Sequence, residues 1–532
     1  MLTVDTFPEL LEVSFSRFRD NPAFTFREQT LTYGDVDRLS ACFAQFLQEC
    51  PDLNASDRVA VQLSNTLYYP VAVFGVLRAG MILVNINPRY TAPELERQLK
   101  DSGARGLVTS VNGINSFTRI STGTDVRLTV IVDELSPCPL SSQQAEHSFS
   151  CSSEKLTFPP AIPGPVYFHN VLALRYKRPF TPDKADPSDV LMLQYTSGTT
   201  GVPKGAMLTH RNIVSNTQQM LYHLSEIIDF GSEKFVAPLP LYHIYGFSKH
   251  CMLLIAAGGH SLLIDKPGDT HAVVNIFKRF NVTGLVGLAT LFNQLCQSDD
   301  FTGLDFSHLK ITLSGGMPLP ADIAERWQSI TGCVPVECYG MTEASPVISM
   351  NPPDNLYPGT VGIALRGTCF RIVDNNGEDV PHGSVGELVI RGPQVMKGYW
   401  QKKKETKKVI SDDNWLLTGD MVQLCEDDYI RIVNRKNDVV NVSGFKIHLA
   451  EVETVALKHP YISEAVAVGV PSEKSGEAIK LYVVKKSGMV LSVEDIIHFC
   501  QKYLTAYKVP SLVEFRNTLP KSGLGKILRH VL

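Results

Sequence analysis

Apolar residues recur at helical spacing from Asp35 to Leu47, fill a strand-length run from Arg58 to Leu63, and return to helical spacing from Tyr69 to Arg78. Short strands that alternate with helices bury both faces when they lie parallel beneath helical layers, so this rhythm predicts an α/β fold. The rhythm resumes at Val190 to Gln194 and continues past residue 340. A chain of 532 residues has room for about three or four compact units, and 44% hydrophobic against 20% charged residues supplies core for them. Residues 134 to 165 break the pattern with clustered Ser, Pro and Gln, which predicts a surface excursion of low order without chemistry.

From about Gly359 the texture changes to short strands, Phe370 to Val373 and Glu387 to Ile390, separated by turns at Asn375-Asn376-Gly377 and His382-Gly383. A further change comes near Asn434. There the tail alternates strand-like runs, Ala465 to Val470 and Ile479 to Val484, with a helical one, Val493 to Leu504. The tail from Arg435 carries 14 Lys and Arg against 9 Asp and Glu, while the whole chain has a net charge of −4. No overall basic field exists, so nucleic acid is not the expected partner.

The start MLTVDTFPELLEVSF lacks a basic region followed by a short apolar core, so it reads as the mature start of a cytoplasmic protein. The longest apolar stretches, Val71 to Val84 and Cys251 to Ile264, are interrupted and fall short of the roughly 20 residues that span a bilayer. They are expected in the core. Eleven cysteines without a CxxC pair read as reduced core residues rather than bridges or zinc ligands.

The strongest local signal is YTSGTTGVPKG, Tyr195 to Gly205, directly after a predicted strand. Thr196, Ser197, Thr199 and Thr200 supply hydroxyls, Gly198 and Gly201 leave the backbone amides open, and Lys204 adds an ammonium. Such a loop can cradle a polyphosphate. It differs from GxxxxGK[ST], because Pro203 precedes Lys204 and Gly205 follows it.

This loop resembles the nucleotide loop of the adenylate-forming superfamily. The other superfamily blocks follow in order as YGMTE (Tyr339 to Glu343), TGD (Thr418 to Asp420), the segment Asn434 to Glu453, and PKSGLGKILR (Pro520 to Arg529). Within the superfamily, YPVAVFGVLRAGMILVNINPRY, APLPLYHIYGF and LTAYKVPSLVEF are most similar to the bacterial long-chain fatty acyl-CoA synthetases. The resemblance spans essentially the whole chain. It implies a large N-terminal domain of doubly wound sheets over residues 1–434, with a β-rich subdomain at about 359–434. A small mobile α+β C-terminal domain follows over residues 435–532, with the hinge near Asn437.

The implied activity is two-step. A fatty acid carboxylate attacks the α-phosphate of ATP to give acyl-adenylate and pyrophosphate, and the thiol of coenzyme A then displaces AMP. By resemblance, Lys526 bridges the carboxylate and the α-phosphate, Thr342 donates to that phosphate, and Glu343 holds Mg²⁺ with Thr196. Tyr339 lies against the adenine, with Gly315, Gly316 and Gly340 allowing close approach. Asp420 accepts the ribose hydroxyls, Arg435 reaches the ribose or phosphate, and His243 sits at the mouth of the acyl pocket. Gly444, Phe445 and Lys446 face the coenzyme A channel. The lysine run Lys402 to Lys408 reads as a charged face. Five lysines in seven positions could also attract anionic lipid, which would make membrane contact transient and peripheral. A homodimer is compatible with the sequence.

Asn434-Arg435-Lys436-Asn437-Asp438 departs from the family pattern at the hinge. Asp413-Asn414-Trp415-Leu416-Leu417 lacks the usual glycine before Trp and histidine before TGD. Neither change removes a catalytic group. The rival readings are an aryl-CoA ligase, an acyl-AMP ligase that hands its product to a carrier protein, and a nucleotide-binding regulatory protein without turnover.

Overall fold

The computed structural model describes the chain except residues 1–3, 140–163, 175–179, 183, 198–202, 267, 317–318, 375, 436–438 and 521–531. The predicted excursion at 134 to 165 therefore lies mostly outside the described residues.

The alternation resolves into two large sheets. Arg58–Gln62 pairs in parallel with Ile82–Asn85 and Gly106–Ser110, and Ile82–Asn85 pairs in turn with Val190–Ser197, at the heart of an eight-stranded sheet. In a nine-stranded sheet, Lys234–Ala237, Gly284–Gly287, Ile311–Gly315 and Pro335–Gly340 run parallel in that order. Antiparallel strands close both edges of the nine-stranded sheet and one edge of the eight-stranded sheet, whose other edge is the parallel strand Pro165–Tyr167. The hairpin Pro22–Phe26 and Gln29–Thr32 flanks the nine-stranded sheet beside His260–Leu263, far from it in sequence.

The helix Tyr68–Arg78 is buried on every side, as its uninterrupted apolar sequence requires. Its Arg78 reaches Asp37 at 2.8 Å and the Ser40 hydroxyl at 2.7 Å, so the one charge in the run is paired. The second apolar stretch also belongs to the core, with Cys251 to Ile264 buried. Among the described residues no helix is long and apolar enough to cross a membrane.

Cys369–Val373, Val385–Arg391, Leu416–Leu424 and Ile430–Arg435 form a four-stranded antiparallel sheet. Two other strands of that region leave it. Ile363–Ala364 extends the nine-stranded sheet and Gly398–Tyr399 the eight-stranded one, which ties the β-rich stretch to both large sheets. A fourth sheet begins at Val439–Val442, beyond Arg435 and the undescribed residues 436–438.

In the fourth sheet, strands Ile462–Ser472 and Gly476–Lys485 pair along their length. Alternate residues face opposite ways. Ala465, Ala467, Ile479, Leu481 and Val483 pack under the helices Leu449–Ala456 and Val493–Gln501, while Val466, Tyr482 and Val484 cover the other face with Leu519.

Candidate active site

A cavity of about 510 Å³ opens where the two large sheets, the four-stranded sheet and the fourth sheet meet. Into it the fold brings Thr196, Lys204, His243, Gly315, Gly316, Tyr339, Gly340, Thr342, Glu343, Asp420, Gly444 and Phe445. These residues come from parts of the sequence more than 200 positions apart. Of the remaining expected site residues, Gly198, Thr199, Thr200, Gly201 and Lys526 lie outside the described residues, as do the side chains of Ser197, Arg435 and Lys446. The Arg435 backbone lies directly across the sheet from Asp420.

Parallel sheets collect ligand-binding loops at the carboxyl ends of their strands, and this site follows that rule. Thr196 sits near the end of Val190–Ser197, Gly315 ends Ile311–Gly315, and Tyr339 with Gly340 ends Pro335–Gly340. At Gly315 a Cβ would come within 2.8 Å of the Cys338 sulfur and 3.0 Å of the Tyr245 hydroxyl, so only glycine lets the cavity wall close there.

Tyr339 donates its hydroxyl to Asp420 Oδ2 at 2.6 Å. Two residues assigned to adenine and ribose are thus directly connected, and the buried Asp420 is aimed by a further bond from its own amide to the Thr418 hydroxyl at 3.1 Å. Glu343 is also fixed. Tyr399 donates to its Oε1 at 2.8 Å. Burial and then the neighbouring Glu343 charge raise the Tyr399 phenol well above its ordinary value, which keeps it a donor at neutral pH.

Lys204 is almost fully buried and its ammonium rests on Glu405 at 2.9 Å, above the Tyr399 ring at 5.1 Å. Hydrogen bonds from Lys408 and from Lys204 hold the Glu405 carboxyl down at about 2. The run Lys402 to Lys408 is accordingly more than a charged face. Most of it lies in the helix Lys403–Val409, Lys402 pairs with Asp101, and Glu405 anchors Lys204.

The fourth sheet approaches the cavity with Ser443, Gly444 and Phe445 at its hairpin turn, and the short 3-10 turn Ala506–Lys508 adds Tyr507 and Lys508. Phe445 stacks on Tyr507, with ring centroids 4.1 Å apart at 11°, and meets His243 edge-on at 5.9 Å. Gly444 adopts φ +86°, and a Cβ there would lie 2.6 Å from Leu288.

A buried polar seam holds this arrangement. Glu94 caps its own helix through Oε2, accepting from Thr91, and its Oε1 accepts the Thr505 amide at 3.0 Å across the seam. Lys508 Nζ lies 3.0 Å from Glu451 and 3.7 Å from Glu94, and Asn87 donates to the Tyr507 hydroxyl at 3.1 Å. Burial opposes the Lys508 charge, but Tyr90, Glu451, Tyr507 and Glu94 outweigh it and raise its pKa. Sequence reasoning assigned no role to Tyr399, Glu405, Glu94, Tyr507 or Lys508. Only Glu94 left a local trace, as the glutamate of a Thr-x-x-Glu capping box.

The model of the AMP-binding enzyme family matches residues 11–400, and that of the AMP-binding enzyme C-terminal domain matches residues 451–526. The chain belongs to the AMP-binding enzyme family. It is 42% identical over 529 residues to a long-chain-fatty-acid–CoA ligase of Escherichia coli O6:H1, covering 98% of this chain and 93% of that protein. It is 31% identical over 501 residues to a feruloyl-CoA synthase of an Amycolatopsis species, covering 94% and 92%. An amide bond synthetase from Marinactinospora thermotolerans shares the fold with a TM-score of 0.82 at 24% identity, over 97% of each chain.

Proposed function

We infer that the chain is an ATP-dependent fatty acid:CoA ligase that converts a medium- to long-chain fatty acid into acyl-CoA, AMP and pyrophosphate. One observation carries this: a single cavity joins the nucleotide-site candidates of the large domain to Gly444 and Phe445 of the C-terminal part. The 42% identity to a long-chain-fatty-acid–CoA ligase, against 31% to a feruloyl-CoA synthase, supports an aliphatic substrate over an aromatic one.

In the first half-reaction a fatty acid carboxylate oxygen attacks the α-phosphorus, the bond to the bridging oxygen breaks, and pyrophosphate leaves. Negative charge accumulates on phosphate oxygens, so fixed donors and cations set the rate. In this reading Tyr339, Asp420 and the glycines at 315 and 316 hold adenosine, Thr342 donates to the α-phosphate, and Lys526 bridges the two reacting groups. Glu343, with Thr196, offers one carboxylate and one hydroxyl. That donor set suits Mg²⁺, which keeps phosphate and water among its ligands. When bound, the ion would neutralise polyphosphate charge, and Tyr399 fixes the Glu343 carboxylate that would hold it.

In the second half-reaction the coenzyme A sulfur attacks the acyl carbonyl and AMP leaves with the bonding electrons. The face at Gly444, Phe445 and Tyr507 is the one docked on the cavity. Leu519 and Leu532, which flank the segment containing Lys526, pack on the opposite face around Val466 and Tyr482. This supports a cycle in which the domain over residues 435–532 turns near Asn437 between half-reactions.

ATP–pyrophosphate exchange with a panel of carboxylic acids tests the reading. Exchange should depend on a fatty acid, stop when EDTA removes Mg²⁺ and return when the ion is restored. ATP binding without exchange for any acid would refute it.

A further inference from the structure

Lys249 is 0% exposed, in a π-helical turn Phe247–Leu253 whose side chains are all buried. Its ammonium reaches one polar partner among the described residues, the Met220 sulfur at 2.7 Å, and no carboxylate pairs with it. A buried cation without an anion is costly. Burial accordingly lowers the Lys249 pKa to about 8, a shift that the neighbouring Cys338 opposes.

The lysine's location gives the cost a purpose. Met220 belongs to an apolar cluster with Leu239, Tyr245, Cys338 and Val347, and those four also line the cavity. Lys249 lies behind that wall, 5.8 Å from the Tyr245 ring centroid. At this point the wall is held by packing and not by a strong hydrogen bond. The Tyr245 hydroxyl has only long contacts, 3.4 Å to the Leu313 carbonyl and 3.7 Å to the Cys338 sulfur, so a swing of the ring would join the cavity to the lysine. Irregular π-helical turns of this kind are frequent at functional sites.

We propose that Lys249 forms the far end of the acyl site and receives an oxygen acceptor carried by the acyl chain remote from its reacting carboxyl, an ω-carboxylate before an ω-hydroxyl. The proposal rests on the ligase reading and narrows its substrate class. An ω-carboxylate would supply the missing anion, while a plain methyl end would leave the ammonium unpaired.

The test is kcat/KM for CoA-thioester formation with sets of three acids of equal length: the alkanoate, the ω-hydroxy acid and the α,ω-dicarboxylic acid, run over a series of lengths. At one length or more the wild type should favour the dicarboxylic acid over the alkanoate by at least about tenfold, the worth of one charged hydrogen bond. Lys249→Met should invert that ratio by raising the alkanoate and lowering the dicarboxylic acid, and Lys249→Gln should spare the ω-hydroxy acid best. A wild-type preference for alkanoates at every length, or a ratio unmoved by Lys249→Met, overturns the proposal. The absence of thioester from every acid would instead strike the ligase reading beneath it.

Discussion

The two faces of the C-terminal sheet differ in what they offer the cavity. One face brings Gly444 against Leu288, Phe445 against His243, and Lys508 into a buried cluster with Glu94 and Glu451. The other gathers Val466, Tyr482 and Val484 with Leu519, and the Tyr482 hydroxyl donates to the Leu532 carbonyl at 2.6 Å. Along Ile462–Ser472 and Gly476–Lys485 a period of two separates the faces, Ala465, Ala467, Leu481 and Val483 turning toward the helices and Val466, Tyr482 and Val484 away from them. The comparison teaches that the two faces of one small sheet differ in polarity and in what they meet, and in the cycle proposed above each would serve one half-reaction.

The sharpest way to break this comparison is Lys526→Ala. It should slow adenylation, read by pyrophosphate exchange, by roughly 10²–10³-fold, as expected for removal of a group that stabilises transition-state charge. Thioester formation from supplied acyl-adenylate should largely survive. An equal loss in both would remove the division of labour.

Gly444→Leu probes the docked face. Its positive φ and the 2.6 Å approach to Leu288 leave no room for a side chain, so thioester formation should fall about 10²-fold through misplacement while exchange is spared. A smaller effect, about tenfold on the thioester step, is expected for Lys508→Met, because hydrogen bonds to charged groups contribute ~1.5–3 kcal/mol and the carboxylates can rehydrate on undocking. Equal loss of exchange in either variant would contradict a face-specific role.

The least effect is expected from pH. Lys508 is raised above its ordinary value by its partners, so its contribution to docking is complete below that value and fades only as pH rises through the raised one. The ratio of the two half-reaction rates in wild type should therefore show no transition from Lys508 between about pH 6 and about pH 9. A transition in that window that disappears in Lys508→Met would show that the seam does not hold the lysine as described.

Much of this was legible in the sequence. The alternation around Asp35 to Arg78 marked helices and strands whose periodicity reports burial directly, and Thr196 converges on one cavity with the YGMTE and TGD blocks. Long-range partnerships were not legible. Glu405 sits in a run whose composition speaks only of lysine, yet it holds Lys204 from 201 positions away. The Glu94 bond to Thr505 spans 411 positions, and no local period encodes such a pairing. The hairpin at Pro22–Thr32 joins its sheet beside His260–Leu263 because both edges need a hydrogen-bonding neighbour, a requirement that topology meets and patterning does not announce. Lys249 was hidden for the opposite reason: Ser248-Lys249-His250 reads as a polar interruption before the apolar run from Cys251, yet all three residues are buried.

The central claim is that this chain joins a fatty acid to coenzyme A through an adenylate. The most direct measurement incubates the purified protein with ATP, Mg²⁺, coenzyme A and fatty acids, and follows acyl-CoA, AMP and pyrophosphate together. The account predicts all three in equal amounts, dependent on the acid, with acyl-adenylate building up when coenzyme A is withheld. Nucleotide binding with no pyrophosphate release in the presence of any fatty acid would contradict it.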